Sequence, residues 1–166
     1  IIPKPTEIIH EGETLEWGGD QLNVIYNQEL HDQAKHIISF FKEIGIAITA
    51  RSKQVLYLSL KKNDRNTESY SLYIKKDSIV INASSPSGIS HGIATLQQLV
   101  LLNKNQNEIK LPIASILDEP RFQHRGLLLD CARHFFDKKT ILKYIDLLAF
   151  YKMNTLHWHL TEDQGW

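Results

Sequence analysis

The sequence lacks the features that mark several protein classes. It has one cysteine in 166 residues, so no intramolecular disulfide can form, and the count favours neither redox compartment. Lysine plus arginine and aspartate plus glutamate number 19 each, so no net charge attracts nucleic acid or an anionic membrane surface. The longest apolar run, near residues 99–102, is far shorter than the roughly 20 residues that span a bilayer. We therefore expect neither a nucleic acid partner nor a membrane-spanning helix.

The composition is that of a folded globular protein. Hydrophobic residues make up 42% of the chain and charged residues 23%, with no tract rich in glycine or proline, which is unlike a disordered chain. The sequence starts at Ile1 and not at methionine, a pattern typical of a cleaved secretory signal or of a chosen boundary. We expect a periplasmic or secreted protein.

The first two thirds of the chain alternate between strand-like and helix-like patterns, which predicts an α/β or α+β domain. The first helix carries an apolar stripe and ends at Gly45, and the second begins near Ser87. We predict a small antiparallel sheet with both helices on one face. The predicted elements are a helix at 30–44, strands at 54–60, 70–75 and 78–82 with a hairpin turn at Lys76-Asp77, and the second helix.

The pattern changes after Asp118-Glu119-Pro120, where we place a domain boundary. Residues 127–130 form an apolar run of the kind found in buried parallel strands. Asp137 is a good N-cap for a helix from 138 to about 151, and residues 154–160 form a second strand. Strand, helix and strand at this spacing predict a right-handed βαβ unit. The predicted domains are therefore 1–117 and 118–166.

Polar side chains follow both predicted strands of the βαβ unit. Asp130 and Arg133 follow the first strand, while His159, Glu162 and Asp163 end or follow the second. Because α/β proteins place active sites at the carboxyl ends of parallel strands, these groups are candidates for a substrate site. The alternative is a network of salt bridges with a purely structural role.

Three other features have two interpretations each. His157 and His159 leave the same face of a strand and could bind a metal, although histidines in a core are more common. Cys131 could act as a nucleophile, but a single cysteine beside an apolar strand is usually a small buried side chain. Tyr57 and Tyr73 could stack on a sugar, yet solvated sheet faces often carry tyrosine.

Two blocks near the end of the chain resemble a known family. They are HRGLLLDCARHF at 124–135 and NTLHWHLTEDQGW at 154–166, which resemble the start of the catalytic barrel of family-twenty glycoside hydrolases. The two blocks occur in order, with a helix of the expected length between them. The first 117 residues resemble, more loosely, the small α/β domain that precedes this barrel, including the segment SGISHG at 87–92.

The resemblance implies a (β/α)8 barrel and a β-N-acetylhexosaminidase. Such enzymes remove terminal N-acetylglucosamine or N-acetylgalactosamine from glycans with retention of configuration and without a cofactor or metal. The 2-acetamido oxygen of the substrate attacks the anomeric carbon, a Glu protonates the leaving oxygen and a neighbouring Asp orients the acetamido group. The resemblance puts this Asp-Glu pair at the fourth barrel strand, beyond Trp166.

The resemblance also suggests roles for individual residues. Arg133 falls where the family has an arginine that binds the C3 and C4 hydroxyls of the terminal sugar. Glu162 falls where the family often has an aspartate that supports the catalytic pair, and Asp163 is the fallback for that role. His159 is expected in the same supporting network and not as a metal ligand.

Two other functions remain open at this point. One is a metal-dependent barrel hydrolase that uses His157 and His159. The other is a carbohydrate-binding module without catalysis.

We predict that the 166-residue chain alone does not hydrolyse glycosides. The segment after Pro120 is much shorter than the roughly 250 residues of a complete barrel, and the resemblance puts the catalytic pair outside it. The test is an assay of the purified chain with a chromogenic N-acetylglucosaminide. Turnover clearly above that of a heat-inactivated sample would contradict the prediction.

Overall fold

The computed structural model describes residues 1–17, 21–61, 66–105 and 108–163. The chain divides into two compact units, Ile1–Pro120 and Arg121–Trp166. The predicted domain limits, 1–117 and 118–166, stay a prediction, because compactness alone does not show that either unit folds by itself.

The described part of the first unit contains a seven-stranded mixed sheet. Its strands are β1 (Glu7–Trp17), β2 (Gln21–Tyr26), β3 (Ala47–Ile48), β4 (Val55–Leu60), β5 (Tyr70–Ile74), β6 (Ser78–Ala83) and β7 (Ile109–Asp118). Their order across the sheet is β1-β7-β5-β6-β4-β2-β3.

The α/β class is confirmed, but the prediction of an antiparallel sheet is wrong for half of it. The pairs β1/β7, β5/β7 and β5/β6 are antiparallel, whereas β4/β6, β2/β4 and β2/β3 are parallel. A helix connects β2 to the strands that follow it, and a helical crossover joins parallel strands. The Lys76-Asp77 turn is confirmed, because the Lys75 N–H donates to the Ser78 carbonyl at 2.9 Å.

The first helix, α1 (His31–Glu43), follows a short 3-10 turn at Gln28–Leu30. It buries Ala34, Ile37 and Phe41, which belong to the predicted apolar stripe. Gly45 ends it at a φ of 92°, a conformation that glycine adopts without steric cost. The Gly45 N–H donates to Lys42 and the Ile46 N–H to Phe41, the two bonds of a Schellman motif.

The second helix, α2 (Pro86–Asn103), lies close against the sheet. Ser85 caps it by accepting the Gly88 N–H at 3.3 Å. A Cβ added at Gly88 would meet the backbone oxygen of Ser69, and one at Gly92 would lie 2.5 Å from Cγ2 of Ile81. The two glycines therefore allow the close approach of α2 to β5 and β6. No helix in the described ranges is long and apolar enough to cross a membrane.

Adding a methyl group at either glycine should destabilise the first unit. We expect Gly88→Ala and Gly92→Ala to lower the free energy of unfolding by about 1–3 kcal/mol, because each added Cβ enters space already filled by the sheet. Ser90→Ala is the control, since Ser90 is exposed on the same helix, and it should change stability by less than about 0.5 kcal/mol. The measurement is urea denaturation. Glycine variants as stable as the control would contradict the close packing.

The second unit is a βαβ unit, as predicted. It consists of β8 (Gly126–Asp130), α3 (Lys138–Phe150) and β9 (Thr155–His159), and its strands are parallel. Asp137 caps α3 by accepting the Thr140 N–H at 2.8 Å.

One face of the β8/β9 pair packs on the helix, where Leu129, Cys131 and Ile141 form a small core. Burial of both strands on both faces is the expectation for a complete barrel, and in the described chain one face is open. On the face away from the helix, Leu128 is 57% exposed and its strand partner His157 is exposed. The apolar spacing of α3 also predicts an inward-facing Ile145, but this side chain is 45% exposed. A single helix can cover only one face of a two-stranded sheet, so the second face stays open.

Candidate active site

The candidate site lies where β8 and β9 end. The two strands pair in register from Gly126 with Thr155 to Asp130 with His159. Directly paired residues of neighbouring strands project from the same face of a sheet, so Asp130 and His159 leave the face opposite the helix-packed core. The polar ends of both strands therefore meet at one edge, as the sequence predicts.

Asp130 is the centre of a hydrogen-bond network at this edge. Its Oδ1 accepts the backbone N–H of Ala132 at 3.0 Å and of Arg133 at 3.2 Å. The same oxygen lies 3.2 Å from Nδ1 of His159. One carboxylate oxygen thus connects the end of β9 to the turn that follows β8.

The environment of Asp130 favours its ionised form. Desolvation by neighbouring atoms raises the pKa of this carboxyl, but the N–H groups of Arg133 and Ala132 and the charge and hydrogen bond of His159 together lower it. The net effect is a pKa below the ordinary aspartate value.

Arg133 and Glu162 form an ion pair across the site. The Nε of Arg133 lies 2.9 Å from Oε1 of Glu162, a distance typical of a charge-assisted hydrogen bond. The Arg133 side chain is 77% exposed and that of Glu162 is 25% exposed. Glu162 therefore holds one edge of the guanidinium, and most of the arginine surface is open to a ligand.

The structure brings together most, but not all, of the predicted site residues. Arg133, His159 and Glu162 lie within one network, whereas Asp163 is exposed. Asp130, which the sequence offers both as a candidate site residue and as a salt-bridge residue, connects this network through one carboxylate oxygen. Its register position opposite His159 is the signal that could have identified this role.

Asp130, His159 and Glu162 also satisfy the distances of a metal site, because one donor atom from each lies within 4.8 Å of the others. However, Glu162 already neutralises Arg133, and Oδ1 of Asp130 already accepts two backbone N–H groups. A cation would compete with the guanidinium for Glu162. His157 is exposed and is outside this group, so the geometry does not favour the alternative that pairs it with His159.

Cys131 lies on the opposite face of the strand pair. It is buried, and its Sγ accepts a hydrogen bond from the Trp158 indole N–H at 3.1 Å. The cysteine is therefore part of the helix-packed core and not a nucleophile of the polar edge, in agreement with the simpler of its two interpretations.

Two family models match consecutive parts of the chain. Residues 1–119 match "Glycosyl hydrolase family 20, domain 2", and residues 122–166 match "Glycosyl hydrolase family 20, catalytic domain". The second match includes every residue of the polar edge. The chain belongs to glycosyl hydrolase family 20.

Individual relatives agree with the family assignment. A β-hexosaminidase of Vibrio furnissii is 45% identical over 97 residues, which cover 58% of this chain and 16% of that protein. A β-hexosaminidase of Porphyromonas gingivalis is 33% identical across the whole chain, which covers 23% of that protein. The crystal structure of a family 20 exo-β-N-acetylglucosaminidase from Vibrio harveyi in complex with N-acetylglucosamine superposes with a TM-score of 0.84 at 34% identity, over all of this chain and 26% of that one.

This chain is much shorter than the family 20 proteins that it matches. The chain spans about a quarter or less of these three family 20 proteins. Within that part, the likeness to the Vibrio harveyi enzyme confirms a fold that combines the small family 20 domain with the start of a barrel. The resemblance to family-twenty glycoside hydrolases that the sequence motifs indicate is also confirmed.

The charge of Asp130 should stabilise the protein at neutral pH but not in acid. Its pKa is lowered on folding from the usual 3.8, so the stabilisation is present above that value and is lost as the pH falls through the folded-state pKa. We expect Asp130→Asn to melt below the wild type at pH 7, with the difference shrinking below about pH 4. Melting temperatures between pH 7 and pH 3 test this. Asp146→Asn, at an exposed position on α3, is the control and should match the wild type throughout. A constant difference for Asp130→Asn would contradict the prediction.

Proposed function

We propose that this chain is part of a retaining exo-β-N-acetylhexosaminidase, which removes terminal N-acetylglucosamine or N-acetylgalactosamine from glycans. The family membership supports a glycoside hydrolase, and the named relatives are hexosaminidases or an exo-β-N-acetylglucosaminidase. The proposed partner is therefore a neutral glycan, which fits a chain with equal numbers of acidic and basic residues.

The observation that carries the proposal is the arrangement of Arg133. Its backbone is fixed at the carboxyl end of β8, where barrel enzymes bind substrates. The guanidinium is held on one edge by Glu162 and is otherwise exposed. A planar set of N–H donors fits two adjacent hydroxyl groups, so Arg133 is suited to the C3 and C4 hydroxyls of a terminal sugar.

The other polar groups act on Arg133 and not on the reacting bond. Glu162 restricts the guanidinium through the 2.9 Å ion pair, and His159 belongs to the same network through Asp130. The acid Glu and the orienting Asp of substrate-assisted hydrolysis are proposed to lie beyond Trp166. The proposed enzyme uses no cofactor or metal, because the nucleophile is the acetamido group of the substrate.

The compartment is part of the same proposal. We propose a periplasmic or secreted enzyme that meets its glycan substrate outside the cytoplasm. A single buried cysteine is compatible with that location, since it can neither pair internally nor react easily at the surface.

Removing the Arg133 side chain should impair the longer enzyme that carries this chain. Charge-assisted hydrogen bonds contribute about 1.5–3 kcal/mol each, so the loss of two in Arg133→Ala should lower kcat/KM by about 10²- to 10⁴-fold. Arg133→Lys keeps the charge without the fork of donors, so it should recover only part of this loss. The assay measures hydrolysis of a chromogenic N-acetylglucosaminide, with melting temperatures on the same samples.

Arg121→Ala is the matched control, because Arg121 is an exposed arginine of the same unit, and its kcat/KM should be unchanged. If the activity of the Arg133 variants falls only in proportion to unfolding, the arginine has a structural role. Near-normal kcat/KM in a folded Arg133→Ala enzyme would remove the residue from the sugar site. No hydrolysis by the wild-type enzyme would refute the proposed function.

A further inference from the structure

We propose that Asp130 is a positioning residue that sets the location of Arg133 for sugar binding. The inference rests on the proposed function, because it assigns Asp130 a role in the site that Arg133 would form. It does not depend on Asp130 contacting the substrate.

The first observation is the number of contacts that one oxygen makes. Oδ1 of Asp130 accepts the N–H groups of Ala132 and Arg133, both on the turn after β8. These bonds fix the backbone of Arg133 relative to the strand end. The Cys131 N–H continues the strand ladder by donating to the His159 carbonyl at 2.9 Å, so the turn begins from a fixed residue.

The second observation is that Arg133 is held at both ends. Asp130 holds its backbone at 3.2 Å, and Glu162 holds its Nε at 2.9 Å. An arginine side chain has many rotamers, and restricting them before binding reduces the ordering required when a ligand arrives. Neither contact alone would define the guanidinium position. With its backbone fixed but its guanidinium group unpaired, the arginine side chain would still sample many rotamers.

The third observation connects β9 to the same oxygen. Nδ1 of His159 lies 3.2 Å from Oδ1 of Asp130, within reach of an Nδ1–H donated to the carboxylate. Glu162 follows β9 three residues after His159. Asp130 thus fixes the strand end that leads to Glu162 as well as the turn that carries Arg133, and both partners of the ion pair depend on it.

A double-mutant cycle in the longer enzyme tests the functional part. If Asp130 acts through Arg133, Asp130→Ala should lower kcat/KM by about 10- to 100-fold, since a displacement of about 1 Å can cost about 100-fold. The same substitution in an Arg133→Ala background should change it by less than about twofold. The effect should also fall on the same parameter, kcat or KM, that Arg133→Ala changes. Asp146→Ala is the matched control and should leave both parameters unchanged.

Asp130→Asn refines the cycle. It keeps an oxygen that can accept the two backbone N–H groups but removes the charge that holds His159, so it should lose less activity than Asp130→Ala. If Asp130→Ala fails to fold, Asp130→Asn replaces it in the cycle. Additive losses in the double variant, or a normal kcat/KM in a folded Asp130→Ala enzyme, would overturn the positioning role while leaving the proposed function intact.

A measurement on the 166-residue chain separates the two proposals. In ¹⁵N-labelled protein, the Arg133 Nε–H resonance is assigned by its disappearance in Arg133→Lys, and its exchange with water is measured. We expect slow exchange in the wild type, several-fold faster exchange in Asp130→Ala and Glu162→Gln, and no change in Asp146→Ala. Fast exchange in the wild type, or equal exchange in Asp130→Ala, would overturn the inference. This result decides the positioning role even if the longer enzyme proves to have another activity.

Discussion

The in-register pairing of Asp130 with His159 is the interaction on which the candidate site depends. Parallel strands bring their carboxyl ends to one edge, and this register makes the last residues of β8 and β9 direct neighbours on the face away from α3. A shift of either strand by one residue would turn its own polar residue, Asp130 or His159, toward the helix-packed core and its neighbour, Leu129 or Trp158, away from it. Burial of Leu129, Cys131 and Ile141 therefore fixes the position of the polar groups, even though it involves none of them.

The first unit is organised by a different constraint, the close approach of α2 to its sheet. Rows of buried side chains cross the strands in register, such as Leu58, Ile81 and Leu72. Gly88 and Gly92 let the helix backbone lie directly on these rows. The result is a well-covered face on one side of the sheet, while Tyr57 on the other side is 38% exposed. The tyrosine is compatible with an ordinary solvated sheet face, the simpler interpretation of the sequence.

Local sequence patterns are sufficient to predict the two strands and the helix of the second unit. The N-cap at Asp137, the apolar stripe of α3 and the two flanking apolar runs predict a βαβ unit, and its parallel direction follows from the crossover. The family motifs add Arg133, His159 and Glu162 as site residues, and these three lie in one network. Their roles in catalysis stay predictions.

The remaining features depend on contacts between distant residues, which no local pattern encodes. No strand is predicted at residues 21–26, so the crossover through α1 and the parallel half of the first sheet do not follow from the sequence. The buried hydrogen bonds of the Tyr70 hydroxyl with Thr95 and Asp118, at 2.6 and 3.1 Å, join residues 25 and 48 positions apart. The sequence predicts Asp130 as a candidate site residue but not its partners, since its contacts depend on the geometry of the turn that follows β8.

The central claim is that Arg133, held between Asp130 and Glu162, binds the terminal sugar of a glycan. A crystal structure of the longer enzyme with N-acetylglucosamine bound tests it most directly. The account predicts that the Arg133 guanidinium donates hydrogen bonds to two adjacent sugar hydroxyls at about 3 Å while its Nε stays paired with Glu162. A bound sugar that Arg133 does not contact, with the arginine still paired to Glu162, would contradict the claim and leave the pair a structural salt bridge.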